Sequence, residues 1–476
     1  MVETLWKAED VVRAVHGRCL HEQTWNANGV SIDSRTIKPG DLFIAIKGLA
    51  HDGHDHVAAA IAAGASAAIV ARQPSQAPPD APLIFVDDTM TALQALGHAG
   101  RARAKAVIIA VTGSVGKTST KEMLRMTLGA VGRTYANQGS YNNHWGVPLS
   151  FANLPPDAEY GVFELGMNHA GELTALSQLA KPDISLITAI EAVHLEFFPS
   201  VDAIADAKAE IFNGMDEKGV VILNRDNPYY ARLAAAAKNR GIKKIMSFGR
   251  ESKCDARLID CAMTSEGCAV NAVIMGTNVH YAIGAPGQHL VQNSLCVLLA
   301  ASFVSGKAEA CAAALAHYKP PKGRGVTAPV NLAEGGKLVL IDDSYNASPA
   351  SARASIRVLA QIMPAPGGRR ILALGDMREL GTTAPALHAA LASVIVEAKI
   401  DSVFCCGEMM RYLYDALPEA VRGAHAIDSA TLAPIVAQNV HAGDVVSVKG
   451  SLSMNMALVV TALKALDTAD AQKIAS

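Results

Sequence analysis

The chain has 476 residues, of which 50% are hydrophobic and 18% charged, with a formal net charge of −2. That length supplies roughly three domains of about 150 residues, with ample apolar material for more than one core. Near-neutrality and the lack of a Lys/Arg cluster argue against a nucleic-acid surface, and no apolar run approaches the ~18 residues needed to cross a bilayer.

Met1–Asp10 carries acidic residues and no apolar core, unlike a signal peptide, so the expected compartment is the cytoplasm. The eight cysteines should stay reduced there. Cys254, Cys261 and Cys268 recur at intervals of seven residues without a C-x-x-C pair.

Three segments follow in chain order. In residues 1–87, the turn Lys38-Pro39-Gly40-Asp41 leads into a short buried strand, Leu42–Ile46. An Ala-rich helix over His56–Gly64 and strands at Ala67–Val70 and Leu83–Val86 complete it. Residues 88–319 open on the strand Val107–Val111. Tyr160–Leu165, Ile184–Ile187 and Val220–Leu223 read as further buried strands separated by helices, the rhythm of a parallel sheet. Leu295–Val304 reads as a core helix, and Tyr318–Gly323, with Pro320-Pro321, as a hinge. In residues 320–476, strands at Leu338–Ile341, Ile371–Leu374, Ser402–Cys406 and Val445–Val448 alternate with helices in a second, smaller sheet. The expected fold is α/β in three domains, with a central P-loop ATPase domain.

The strongest chemical signal is Thr112-Gly113-Ser114-Val115-Gly116-Lys117-Thr118, between a buried strand and a helix marked by Leu124, Leu128 and Val131. Glycines let backbone N–H groups approach phosphates, Lys117 neutralises them, and the Thr118 hydroxyl can hold Mg²⁺. Val111 stands where a strict G-x-x-x-x-G-K-[ST] loop has its first glycine, so this is a shorter variant.

Glu164 closes a strand expected beside the loop, where a carboxylate could meet Mg²⁺ or simply face solvent. His194 follows the strand Ile184–Ile187, and a lone histidine there reads first as a hydrogen-bonded structural residue. Lys208 borders an apolar stripe of Ile204, Ala207 and Ile211 on a helix with Asp202 as candidate N-cap. Burial would lower its pKa, and only a neutral amine can form a carbamate; a snorkelling lysine is the other reading. The loop His51–His56 resembles a metal site superficially.

Together with the P-loop, several stretches carry a resemblance covering nearly the whole chain. They are Asp33-Ser34-Arg35 with Pro39–Phe43, Glu164–Asn168 with Gly171-Glu172, His194-Leu195-Glu196, Ala207–Ile211, Asp342–Ala347 and Leu374–Gly381. The pattern resembles the Mur ligase family, ATP-dependent enzymes that extend the peptide of the bacterial cell-wall precursor. It implies ATP bound by Gly113 through Thr118 and Ser119, with Asn293 at the adenine, Arg324 at the phosphates and Asp343 at the ribose. Mg²⁺ would be held by Thr118, Glu164, His194 and a carbamylated Lys208. Lys117, Lys208, His194 and Arg324 would carry catalysis.

By the same resemblance the first domain binds the uridine diphosphate end through Ser34 and Arg35, whose fork of donors suits pyrophosphate, and Asp52–Asp55 shapes the uridine pocket. Asn142 and Asn143 lie near the muramoyl peptide, or close a turn, and Asn346 and Arg378 face substrate from the third domain. The implied reaction joins D-alanyl-D-alanine to UDP-N-acetylmuramoyl tripeptide, in a monomer. One alternative is the member that adds the third, diamino-acid residue, although its usual D-N-P-R motif is missing; another is a nucleotide-binding regulator without catalysis. Two positions depart from the family pattern: Leu290 replaces an asparagine, and Leu452 an arginine.

Overall fold

The apolar runs pair into three sheets and a two-stranded ribbon in the computed structural model, which describes residues 4–19, 24–48, 51–264 and 266–467. Met1–Glu3, at the head of the stretch read as unlike a signal peptide, lie outside the described residues. No helix among those residues is long and apolar enough to cross a membrane.

The first sheet has five strands, with Asp41–Ile44, Ala67–Val70 and Leu83–Phe85 parallel at its centre. It does not stand apart. The helix Gly146–Ala152 is buried at every residue, and its Leu149 and Ala152 join the core under this sheet. Trp6 donates its indole N–H to the Ala152 carbonyl at 2.8 Å, and the Arg103 guanidinium lies 3.6 Å from the Trp6 ring centre. Asn153 accepts from the Val30 N–H and donates to the Val30 carbonyl, both at 2.9 Å, so it replaces a strand neighbour. Asn153→Ala strips two partners from Val30, itself buried, and is expected to lower unfolding stability by about 1–3 kcal/mol in urea titration. A midpoint equal to the parent's would show that the two pairs contribute nothing.

The central sheet has nine strands. Val107–Thr112 lies between Ile184–Ile187 and Tyr160–Glu164, all parallel, and Val220–Asn224 and Lys244–Gly249 extend the parallel array. Here the all-parallel expectation needs correcting. Ala256–Met263, Cys268–Ile274 and Thr277–Ile283 form an antiparallel meander at one edge. Its alternation is visible in the sequence: Cys268, Val270, Ala272 and Ile274 point inward, as do Val279, Tyr281 and Ile283. Met275 and Gly276, both at positive φ (49° and 84°), make the tight turn that right-twisted hairpins favour. The cysteines spaced by seven are free thiols, as are the other five. Leu295–Val304 lies within the helix Gln288–Ser305.

The third sheet has six strands, Lys337–Asp343, Val445–Lys449, Arg370–Gly375, Ser402–Cys406 and Arg422–Ala426 being parallel and Val326–Asn331 antiparallel at one edge. The helix bearing Lys208 spans Val201–Ala209, and its N-cap is Ser200, whose hydroxyl accepts from the Ala203 N–H at 3.2 Å. Asp202, expected to cap, sits inside the first turn, because Ser200 is the residue held in extended geometry.

Candidate active site

Strand order decides where a ligand can bind. From Val107–Thr112 the chain first builds Thr134–Ala136 and Tyr160–Glu164 on one side, then Ile184–Ile187 on the other. The loops leaving the carboxyl ends of these strands diverge there and open a crevice. Register aligns Glu164 with Val111, and Ile187 with Thr112, so the P-loop, Glu164 and the segment leading to His194 emerge together.

The P-loop glycines are required by their surroundings. A Cβ at Gly113 (φ 147°) would come within 2.0 Å of the Thr188 hydroxyl, and one at Gly116 (φ 84°) within 2.8 Å of the Asn293 amide. Lys117 heads the helix Lys117–Gly129, whose first-turn N–H groups have no intrahelical acceptors. Its ammonium folds back onto the Gly113 and Ser114 carbonyls, at 2.7 and 3.4 Å. Desolvation lowers its pKa; Glu164 opposes that shift and Arg324 adds to it. Ser114 uses its hydroxyl on the backbone of Glu191, giving to the carbonyl at 3.1 Å and accepting from the N–H at 3.0 Å.

Glu164 is 1% exposed. Asn142 donates to its Oε1 at 2.7 Å, while Oε2 is buried with no hydrogen-bond partner. Lys208 does more than border the apolar face: it is fully buried, and its Nζ also has no partner. Burial and the nearby Lys117 charge push its pKa well below the usual lysine value, against the pull of Glu164, Glu172 and Glu210. The Asn293 Nδ2, behind Gly116, is likewise buried and unpartnered. A buried carboxylate oxygen without a partner fits a group that receives a cation, and the buried Lys208 amine likewise lacks the partner that its burial calls for.

His194 holds a left-handed backbone (φ 55°) and bonds through Nδ1 to Glu379 of the third sheet's loops, itself at φ 62°. That hydrogen bond holds the Glu379 carboxyl below its ordinary range. The Glu196 N–H donates to the Glu379 carbonyl at 3.1 Å. Two strained residues meeting across a junction of sheets mark a constrained site, and sequence reading missed Glu379 as a partner. Glu379→Ala is expected to loosen the third domain, seen as a larger radius of gyration in solution X-ray scattering. A curve superimposing on the parent's would contradict this.

Other residues arrive from the third domain. Arg324 stacks 4.6 Å from the centre of the Tyr345 ring, whose hydroxyl pairs with Ser140 at 2.7 Å. Asp343 accepts from the buried Lys449 ammonium at 2.8 Å, and the Asn346 carbonyl accepts from it at 2.9 Å. The Arg378 N–H donates to the Ser451 hydroxyl at 2.9 Å, and its guanidinium rests on the Met454 sulfur at 3.0 Å, beside the exposed Leu452. Leu290, at the other departure from the pattern, is buried in the central core.

Some expected residues lie elsewhere. Arg35 is exposed and paired with Asp33 at 2.7 Å, in the first domain with Ser34. Asn143 closes its turn by accepting from the Trp145 and Gly146 N–H groups. In the loop at Asp52, His54 Nε2 accepts from the Ala71 N–H at 2.9 Å, so Nδ1 carries the proton given to Asp52 at 2.6 Å. Both nitrogens are thereby occupied, and no metal-binding group of three His, Cys, Asp or Glu occurs among the described residues.

Comparison with known proteins gives this architecture a family. The Mur ligase family catalytic domain matches residues 26–110, the Mur ligase middle domain 111–301 and the Mur ligase glutamate ligase domain 330–452. The chain belongs to the Mur ligase family. Within it, the chain is similar to UDP-N-acetylmuramoyl-tripeptide–D-alanyl-D-alanine ligases. The one from Rickettsia prowazekii is 36% identical over 83% of this chain and 86% of the relative, and the one from Escherichia coli 35% over 92% and 94%. The crystal structure of MurF from Acinetobacter baumannii superimposes with a TM-score of 0.81 at 28% identity, covering 98% of this chain and 99% of that one.

Proposed function

We propose that the chain joins D-alanyl-D-alanine to UDP-N-acetylmuramoyl tripeptide, using ATP and releasing ADP and phosphate. It is an ATP-dependent ligase that forms an amide bond. The observation that carries the chemistry is a pair of buried, unpartnered groups beside the P-loop lysine: Glu164 Oε2, whose carboxylate raises the Lys117 pKa, and Lys208 Nζ, whose own pKa the Lys117 charge lowers. The dipeptide specificity rests on similarity to relatives of that name over nearly the whole chain.

In this reading a carboxylate oxygen of the tripeptide attacks the γ-phosphorus of ATP, and the bond to ADP breaks. The acyl phosphate formed is attacked at its carbonyl carbon by the amine of D-alanyl-D-alanine. A tetrahedral intermediate loses a proton and expels phosphate. Lys117 and Arg324 balance the charge spreading over the transferring phosphoryl group, and such preorganised charge is the main source of acceleration in reactions of this kind. The helix N-terminus at Thr118 and Ser119 receives the phosphates, with Asn293 and Asp343 placed for the nucleoside. Mg²⁺, held by Thr118, Glu164, His194 and a carbamylated Lys208, would supply neutralisation of the ATP oxygens when bound.

Residues 1–87, 88–319 and 320–476 serve as the domains for the precursor, for ATP and for the incoming dipeptide. We assign Ser34, Arg35, Asn346 and Arg378 to the two substrates, while the side chains of Asn142 and Asn143, expected there, are engaged by Glu164 and by their own turn; Arg378 or another residue covers the role opened by Leu452. We place this activity in the cytoplasm. The test is phosphate release from ATP with Mg²⁺, the tripeptide precursor and D-alanyl-D-alanine, omitting each in turn. Release that requires all of them supports the reading. Release with a dipeptide precursor and a diamino acid moves the chain to the neighbouring step, and no release with any combination leaves a nucleotide-binding relative.

A further inference from the structure

The P-loop helix carries a second lysine, one turn after Lys117, that the chemistry above does not use. Lys121 is 0% exposed. An ammonium has three protons to give, and here three acceptors take them: the Asn137 carbonyl at 2.7 Å, the Gly139 carbonyl at 3.1 Å and Glu122 Oε1 at 2.9 Å. A buried charge is tolerated only when so satisfied. What makes it informative is where the two carbonyls lie.

They belong to the loop leaving the strand Thr134–Ala136, and that loop is stitched to the end of the strand carrying Glu164. Asn137 accepts from the Glu164 N–H at 2.9 Å and donates to the Glu164 carbonyl at 3.2 Å and the Tyr141 carbonyl at 2.8 Å. Asn142 accepts from the Gly166 N–H at 2.8 Å and gives its side-chain N–H to Glu164 Oε1. Between them, Ser140 holds the Tyr345 hydroxyl, and the Tyr345 ring backs Arg324. One cation on the phosphate-binding helix therefore reaches, through one loop, the carboxylate of the central domain and the arginine of the third.

We propose that Lys121 is a positioning residue for phosphoryl transfer: it pins the Asn137–Asn142 loop, which aims the Glu164 carboxylate and seats Tyr345 and Arg324. It touches no reacting atom and acts only through those residues. The proposal rests on the assignment of Glu164 to the site.

The test uses full-length Lys121→Met, Lys121→Arg, Asn142→Ala, Glu164→Gln and the Lys121→Met/Asn142→Ala double variant. ADP affinity is read by calorimetry, and kcat and KM for ATP from phosphate release with both substrates. Lys121→Met is expected to keep its ADP affinity while kcat falls about 10- to 100-fold, the usual effect of losing a group that orients a ligating residue. Lys121→Arg should recover part of that loss. The double variant should be no slower than the worse single one, because both act on the same carboxylate. If Lys121→Met does not fold, Lys121→Arg alone and combined with Asn142→Ala gives the same comparison. Unchanged kcat, a loss confined to ADP affinity, or single effects that multiply would each overturn the proposal. If Glu164→Gln also turns over normally, the site assignment fails with it; if Glu164→Gln is inactive while the Lys121 variants are normal, only the role of Lys121 fails.

Discussion

Lys117→Ala is expected to fold and melt like the parent while kcat falls by at least about 100-fold, the scale on which a single preorganised charge stabiliser acts. The fold should survive because this side chain holds no core together. Its ammonium rests on two carbonyls of its own loop, Gly113 and Ser114, which the helix N-terminus can leave to solvent. Turnover should not survive under the proposed mechanism, in which Lys117 and Arg324 answer the charge on the transferring phosphoryl group; the Arg324 charge already acts on Lys117. The loss should appear in kcat more than in KM for ATP, since the charge that Lys117 answers grows during transfer. Unchanged kcat would remove Lys117 from the mechanism.

The second large effect is expected at Lys208. An alanine there removes a buried group on which the Glu164 charge acts, and turnover should fall by at least about 100-fold if the proposed metal role holds. If the working form is a carbamate, a short carboxylic acid such as formate or acetate supplies the lost carboxylate within the vacated space and should restore part of the rate. Failure of every acid tested would count against the carbamate. Stability should move the other way. The buried amine titrates well below an ordinary lysine, so between that lowered pKa and about 10.4 the unfolded chain binds a proton that the folded protein does not. Stability therefore rises with pH across this window and is lost as pH falls through it. Lys208→Met, which keeps the volume without the amine, is expected to raise the melting temperature near neutral pH and flatten its pH dependence. A lower melting temperature would show that Lys208 is held charged and paired.

The sequence made local features readable to differing degrees. Ala67–Val70, Ile184–Ile187 and Ser402–Cys406 form strands with the expected bounds; the last two are short, mainly apolar runs cut off on both sides by polar or glycine neighbours, and the first starts after Ser66 and ends one residue short of Arg72. The antiparallel meander from Ala256 to Ile283 was legible in its alternation, yet the βα rhythm before it invites a parallel reading. Lys121 was within reach as well. Counting from Leu128 and Leu124 toward the helix start by three more residues lands on it, on the buried stripe, where a lysine demands a partner.

Contacts between domains were out of reach. His194 and Glu379 are 185 residues apart, and Ser140 and Tyr345 are 205 apart. No local spacing records which loops of two separate sheets will meet. The same holds for Asn142, whose amide could have served substrate or a turn until the fold set it against Glu164.

The most direct measurement follows oxygen. The tripeptide precursor is labelled with ¹⁸O in its terminal carboxylate and supplied with ATP, Mg²⁺ and D-alanyl-D-alanine, and both products are weighed by mass spectrometry. An acyl phosphate route leaves the attacking carboxylate oxygen on phosphorus. The expected products are a UDP-muramoyl pentapeptide and inorganic phosphate carrying a single ¹⁸O atom per turnover. Unlabelled phosphate, or ATP consumption without the pentapeptide, would contradict it.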